Sequence, residues 1–172
     1  KPAVEGQGYF QTHFEQQVKK SPVSKDATVT SGIFKTTSGW QDAKYYLLIS
    51  KIYYGDIKNF SKSRQYAKKA AEYKPRWGEP YILIGKLYAS SGPLCGPGTG
   101  WDSQVVTWVA IDQFVYAKSI DPSVTNEANK LIATYSQYMP SGEDLFFRGI
   151  KKGSTFFVPC WIQEETIVRS SD

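Results

Sequence analysis

The residues that could do chemistry are few. The chain holds two cysteines, Cys95 and Cys160, one histidine, His13, and two pairs of adjacent carboxylates, Glu143-Asp144 and Glu164-Glu165. Catalysis needs a nucleophile beside a base, a carboxylate pair across a cleft, or a metal set. His13 has no motif around it, and two cysteines with one histidine are too few and too widely spaced for a zinc site. Neighbouring carboxylates diverge on a strand, so neither acidic pair reads as an acid–base couple. The stretch Gly92 to Gly100 has the glycine density of a phosphate loop but lacks the Gly-Lys-Ser/Thr ending that supplies charge and magnesium ligation. The sequence therefore predicts a non-enzyme with no metal and no cofactor. What remains for the cysteines is pairing. A Cys95–Cys160 bridge would tie a glycine- and proline-rich loop to the C-terminal tail, contribute about 4 kcal/mol by limiting the unfolded chain, and imply an oxidising, extracytoplasmic setting. Two unrelated buried thiols are the alternative.

The elements that position these residues follow from a repeat. Tyr81-x2-Ile84-Gly85-x2-Tyr88 is followed by Ala110-x3-Phe114, Ala117 and Pro122. The preceding stretch reads Tyr46-x2-Ile49-Ser50-x2-Tyr53, with Ser63, Ala67, Ala70 and Pro75 at the same relative spacings as Ala110, Phe114, Ala117 and Pro122. Tyr46 and Tyr81 lie 35 residues apart. A third first-helix pattern, Ala128-x2-Leu131-Ile132-x2-Tyr135, is displaced by 47 residues from the second because of an insertion. Such a pattern suits antiparallel helix pairs: Ser50, Gly85, Ala70 and Ala117 let backbones approach, and Tyr53, Tyr88 and Phe114 fill the space left. Pro75 and Pro122 end the second helix of each pair.

Residues 39–140 on this reading resemble tetratricopeptide repeats, whose helix pairs recur about every 34 residues. The stretches Trp77 to Ala89, Ala117 to Val124 and Cys160-Trp161-Ile162 are similar to a group of exported repeat proteins from Bacteroidota. The first unit departs from the family in lacking the tryptophan and having Ser50 for glycine; the second carries a long internal loop; the third lacks an evident second helix. The resemblance implies a mostly α fold, a right-handed superhelix of antiparallel helix pairs, with a short C-terminal β-strand appendage. It also implies that first helices line a concave groove, which would put Lys51, Tyr54, Lys86, Asn129 and Ala133 on that face, with Leu47 and Ile82 one turn earlier. Lysines at equivalent positions in two repeats would clamp an acidic segment or a C-terminal carboxylate; the plainer alternative is two solvated helix-face lysines.

Three regions follow. Residues 1–38 hold one helix, about Gly8 to Lys20, ended by Ser21-Pro22, and an irregular lead-in; a truncated repeat is one reading of this segment. Residues 39–140 hold the repeats, with a non-helical loop inserted at 90–102. Residues 141–172 switch to alternation, with strands at Ser154 to Val158 and Trp161 to Val168 forming an extended tail.

Totals limit the partners. The 172 residues carry a net charge of +5 and a pI near 9.1, but the basic residues are scattered, without the arginine-rich, aromatic-interleaved pattern of nucleic-acid binding. No stretch approaches the roughly 20 apolar residues that span a bilayer, and Lys1 in place of a methionine reads as a processed or excised start. The leading expectation is a protein-binding scaffold or adaptor of the cell envelope, periplasmic or otherwise extracytoplasmic, of undetermined oligomeric state. A structural end-cap of a longer repeat protein is the second, and a carbohydrate-binding module displaying Phe156, Phe157 and Trp161 the third.

Overall fold

The computed structural model describes residues 34–97 and 99–172, with side chains from residue 39 onward. His13, the helix expected over Gly8 to Lys20 and the lead-in of region 1–38 lie outside the described residues. In chain order the helices are α1 (Phe34–Gly55), α2 (Phe60–Tyr73), α3 (Glu79–Ala89), α4 (Gly92–Cys95), α5 (Trp101–Gln104), α6 (Val106–Ile120), α7 (Thr125–Ser136) and α8 (Gly142–Phe147), with a 3-10 turn at Pro122–Val124; the strands are β1 (Thr155–Val158) and β2 (Glu164–Ile167). The fold is mostly helical with one small antiparallel sheet.

Local chemistry sets the helix limits. Asn59 caps α2 by accepting from the Lys62 amide at 3.0 Å, and the helix stops ahead of Pro75. Pro80 lies in the first turn of α3, where its fixed φ suits the helix and its missing N–H costs nothing. Asp121 joins two helix ends: its carboxylate accepts from the Ser123 amide that opens the 3-10 turn, at 3.0 Å, and from the Gly78 amide ahead of α3, at 2.9 Å. The start of one pair and the end of the next helix are thereby fixed together.

Helices near in sequence pack on one another. The most extensive contact is α3 with α6, followed by α6 with α7 and α2 with α3. Gly85 is the reason α3 and α6 approach so closely, since a Cβ there would lie 2.3 Å from Cε1 of the wholly buried Phe114. The equivalent residue in the first pair is Ser50, and it works differently. Its hydroxyl donates to the Ser63 carbonyl at 2.7 Å while Ser63 Oγ donates back to the Ser50 carbonyl at 2.8 Å, so two buried hydroxyls bridge α1 and α2 with their polar atoms satisfied. Ile84, Leu87, Tyr88, Trp108 and Phe114 form the interior of the main core, and a smaller cluster gathers Ala43, Leu47, Ala70, Trp77 and Leu83. Each such large side chain contributes about 1.5–3 kcal/mol by leaving water.

Two sequence expectations need correction. The insertion at 90–102 is not devoid of helix. It contains α4 and runs into α5, single turns started by a proline after Gly92 in the first and by Gly100 in the second, and stapled by Ser103, whose hydroxyl reaches the carbonyls of Gly92 at 3.0 Å and Gly96 at 2.9 Å. Proline at the head of a helix favours rather than prevents its first turn. Region 141–172 is likewise not purely extended. It opens with α8, started by a capping box between Ser141 and Asp144, and only then forms a hairpin with Thr155 opposite Ile167 and Val158 opposite Glu164. On the hairpin, Val158 and Thr166 are buried and Phe156 and Glu164 half-buried, while Thr155, Phe157, Glu165 and Ile167 face outward, the period-2 division of a sheet covered on one side. β2 rests on α6. Cys160, in the hairpin turn, is disulfide-bonded to Cys95 at the end of α4, with Cα atoms 5.2 Å apart.

Candidate functional site

Ion pairs run between α1, α3 and α7, the helices that the sequence reading takes as the first of each pair. Lys51 of α1 meets Glu79 of α3 at 3.8 Å, and Lys86 of α3 donates to Glu127 of α7 at 2.7 Å. Both glutamates sit in the first turn of their helices, where a negative charge is favoured by the helix dipole. Each expected clamp lysine thus has an acid of the next unit as partner. Side chains remain accessible all the same, with Lys51 55% and Lys86 35% exposed. Pairs this exposed contribute at most about 1 kcal/mol, so an incoming carboxylate can exchange with them.

A group of hydroxyls adjoins Lys86. Tyr54 of α1 and Ser90, just past α3, hydrogen-bond at 2.9 Å. Tyr135 of α7 has its phenol pushed above the usual value by burial first and then by Tyr54 nearby, with Lys86 pulling the other way. Tyr135 is stacked on Phe114, ring centroids 5.9 Å apart. The arrangement therefore offers an ammonium and neutral phenol and alcohol hydroxyls to a ligand, chemistry suited to carboxylates and peptide carbonyls.

Other expected groove residues lie elsewhere. Leu47 and Ile82 are interior residues, 3% and 4% exposed, and belong to the two core clusters; one turn before each lysine the helix already faces its neighbours rather than a groove. Asn129 is exposed but accepts from Lys118 of α6 at 2.9 Å. Ala133 is exposed. Ser90, Glu127 and Tyr135 were not foreseen as members of this face. An acid in the first turn of α7 was the available signal for Glu127; Ser90, beyond the repeat motif, gave none.

A second polar cluster joins the hairpin to the helices. Glu164 accepts from the Tyr88 hydroxyl at 2.5 Å and lies 3.8 Å from Arg64 and 3.5 Å from Lys68, with Gln113 on its other oxygen at 3.5 Å. Arg64 also donates to the Ile162 carbonyl at 2.7 Å, its guanidinium 4.8 Å from the Trp161 ring centroid. Burial, then the Glu164 hydrogen bond, pushes the Tyr88 hydroxyl far above the usual phenol range. Farther along, Asp112 of α6 receives Arg169 and, at 2.6 Å, the Thr166 hydroxyl. Glu165 points to the opposite side of β2 from Glu164, so the acidic pair does not converge.

Phe156, Phe157 and Trp161 share no exposed plane. Phe156 meets Trp101 and Trp108 edge-on at 5.8 and 5.4 Å, and Trp161 packs against Phe60 and Tyr88; Phe157 alone of the three faces outward, at 51% exposed. Among the described residues no group of three or more His, Cys, Asp or Glu is placed to hold a metal ion, and no helix is long and apolar enough to cross a membrane. Comparison with protein-family models, curated proteins and solved structures returned no match.

Proposed function

We propose that the chain is a tetratricopeptide-type scaffold that binds a peptide segment of another protein along α1, α3 and α7. The observation that carries the reading is the pair of links Lys51–Glu79 and Lys86–Glu127, which join α1 to α3 and α3 to α7, the helices read as successive first helices, two of which carry an equivalent lysine. The ligand is an acidic segment or a C-terminal carboxylate, taken by exchange of ion pairs and by the hydroxyls of Tyr54 and Tyr135. The Cys95–Cys160 bridge supports work outside the cytoplasm, since disulfides persist in oxidising compartments, in keeping with the exported Bacteroidota repeat proteins that the sequence resembles.

Fluorescence anisotropy with a panel of acidic peptides, each made with a free and an amidated C-terminus, tests this. Binding that weakens in Lys51→Glu/Lys86→Glu supports the face, and a further loss on amidation identifies the terminal carboxylate. No binding by any peptide, or equal binding by the variant, refutes it. A second reading has its own observation: the hairpin is held to α2, α3 and α6 by Glu164 and to α6 by Arg169, which suits an end-cap that closes a helical array. The two roles are compatible.

A further inference from the structure

The largest apolar exposure in the described chain is not on the groove face but at the end of α8. Phe146 and Phe147 are 81% and 76% exposed. Single exposed apolar residues need no explanation, but two adjacent phenylalanines with most of both rings in water do. Their position is fixed rather than frayed. Leu145, one residue earlier, is buried in the main core; the Gly149 amide donates to the Phe146 carbonyl and the Ile150 amide to the Leu145 carbonyl, each at 3.0 Å, and Gly149 supplies the left-handed φ of +66° that this reversal demands. Ile150 packs back on the core. The backbone is thus closed behind the two rings, Leu145 and Ile150 turn inward, and the phenylalanines are held outward.

Charge divides about the rings: Glu143 and Asp144 precede them in the first turn of α8, with Asp144 held in the capping box, and cations follow them. From Leu145 to Gln163 there are three cations, Arg148, Lys151 and Lys152, and no acid. All three are exposed. Arg148 lies over the Trp101 ring at 4.3 Å with Asp144 one turn before it on α8, Lys152 donates to Ser170 Oγ and the Asp172 main-chain oxygen, and Lys151 is the most freely presented of the three. An aromatic tip followed by three exposed cations is suited to the boundary of an anionic bilayer, where rings enter the acyl edge and ammonium groups meet phosphates. A protein pocket is the less fitting occupant, because two rings protruding this far would require a recess for each.

We propose that Phe146 and Phe147 insert into the surface of an anionic phospholipid membrane, with Arg148 and Lys151 engaging the headgroups. This surface is independent of the peptide face. The test is flotation of the full chain with vesicles of phosphatidylcholine alone or mixed with phosphatidylglycerol. Binding to the anionic vesicles is expected, weakened about tenfold or more in Phe146→Ser/Phe147→Ser and about fivefold or more in Lys151→Glu. In Phe146→Trp, a blue shift of emission on vesicle addition and quenching by acyl-brominated lipid are expected, each measured against the unsubstituted chain. The variants alter exposed side chains, and unchanged urea midpoints confirm their folding. Absence of flotation, equal flotation on phosphatidylcholine alone, or unaltered binding by Phe146→Ser/Phe147→Ser overturns the proposal. So does a concentration-dependent dimer abolished by the same pair of substitutions, which assigns the tip to a second copy of the chain.

Discussion

Removing the cross-link with Cys95→Ser/Cys160→Ser tests how the C-terminal hairpin is held. The bridged residues are 65 apart in sequence, and closing a loop of that length in the unfolded chain is worth about 4 kcal/mol at 25 °C. The native hairpin has other attachments: Val158, Ile162 and Val168 are buried at 0–1% exposure, Glu164 is held by Tyr88 and Arg64, and Arg169 by Asp112. The variant should therefore keep its folded structure and lose stability through the unfolded state. For a chain this size a urea dependence of about 2 kcal/mol per molar is expected, so the midpoint should fall by about 2 M in one cooperative transition. Trp161 is the reporter, because it packs on Phe60 and Tyr88 at centroid distances of 6.2 and 5.8 Å and changes surroundings if the hairpin lifts. The difference in emission between the chain and its Trp161→Phe form is followed against urea, beside circular dichroism for the helices. A midpoint shift under about 0.5 M refutes the entropic reasoning. A Trp161 transition well ahead of the helical one refutes the claim that noncovalent contacts suffice to seat the hairpin. Reductant added to the unsubstituted chain should reproduce the variant.

Gly85→Ala should destabilise by about 1–3 kcal/mol, since the added Cβ would lie 2.3 Å from Phe114 and the core must shift; Phe114→Leu in the same chain should recover part of the loss in urea unfolding. Tyr88→Phe should cost about 1–2 kcal/mol at neutral pH. The folded state favours the protonated phenol, so this stabilisation is complete below about pH 10 and is lost as pH rises above it; the difference between the two proteins should shrink there. Asp121→Ala should cost about 1 kcal/mol through the lost caps. The Asp121 carboxyl is held below its usual range by the Ser123 hydroxyl and then the Gly78 amide, so the difference should be constant above about pH 5 and diminish as pH falls below about 4, measured by thermal unfolding across pH.

The helix pairs were legible because the chemistry that makes them is local and periodic. Gly85 and Phe114 meet in close contact between α3 and α6, and Pro75 and Pro122 follow the ends of α2 and α6. The insertion was misread because a run of glycine and proline tells of turns without telling which proline begins one; α4 and α5 depend on Ser103 reaching back to Gly92 and Gly96, a contact with no periodic trace. Lys51 and Lys86 stand out in the sequence by their matching positions, but Glu79 and Glu127 become their partners only when α1, α3 and α7 come together, and Leu47 and Ile82 lie inward because the side of each helix one turn earlier packs into the core clusters. No periodicity marks Phe146 and Phe147; only burial of Leu145 beside them shows that the core is filled without them.

The hairpin and α8 form a module whose stability is borrowed. Two strands of four residues and a six-residue helix are too short to persist alone in water. They are fixed by attachments that differ in kind: a covalent bond to α4, a carboxylate shared among α2, α3 and α6, and an arginine on α6. Exposed apolar rings on a segment held so firmly cannot be attributed to local fraying. A module that only sealed the end of a helical array would present polar residues outward, as terminal repeats do. This one covers α6 with Val158, Ile162 and Thr166 and sends Phe146 and Phe147 the other way. Sealing explains the first set of residues and leaves the second unexplained, so the outward face of α8 requires a contact of its own.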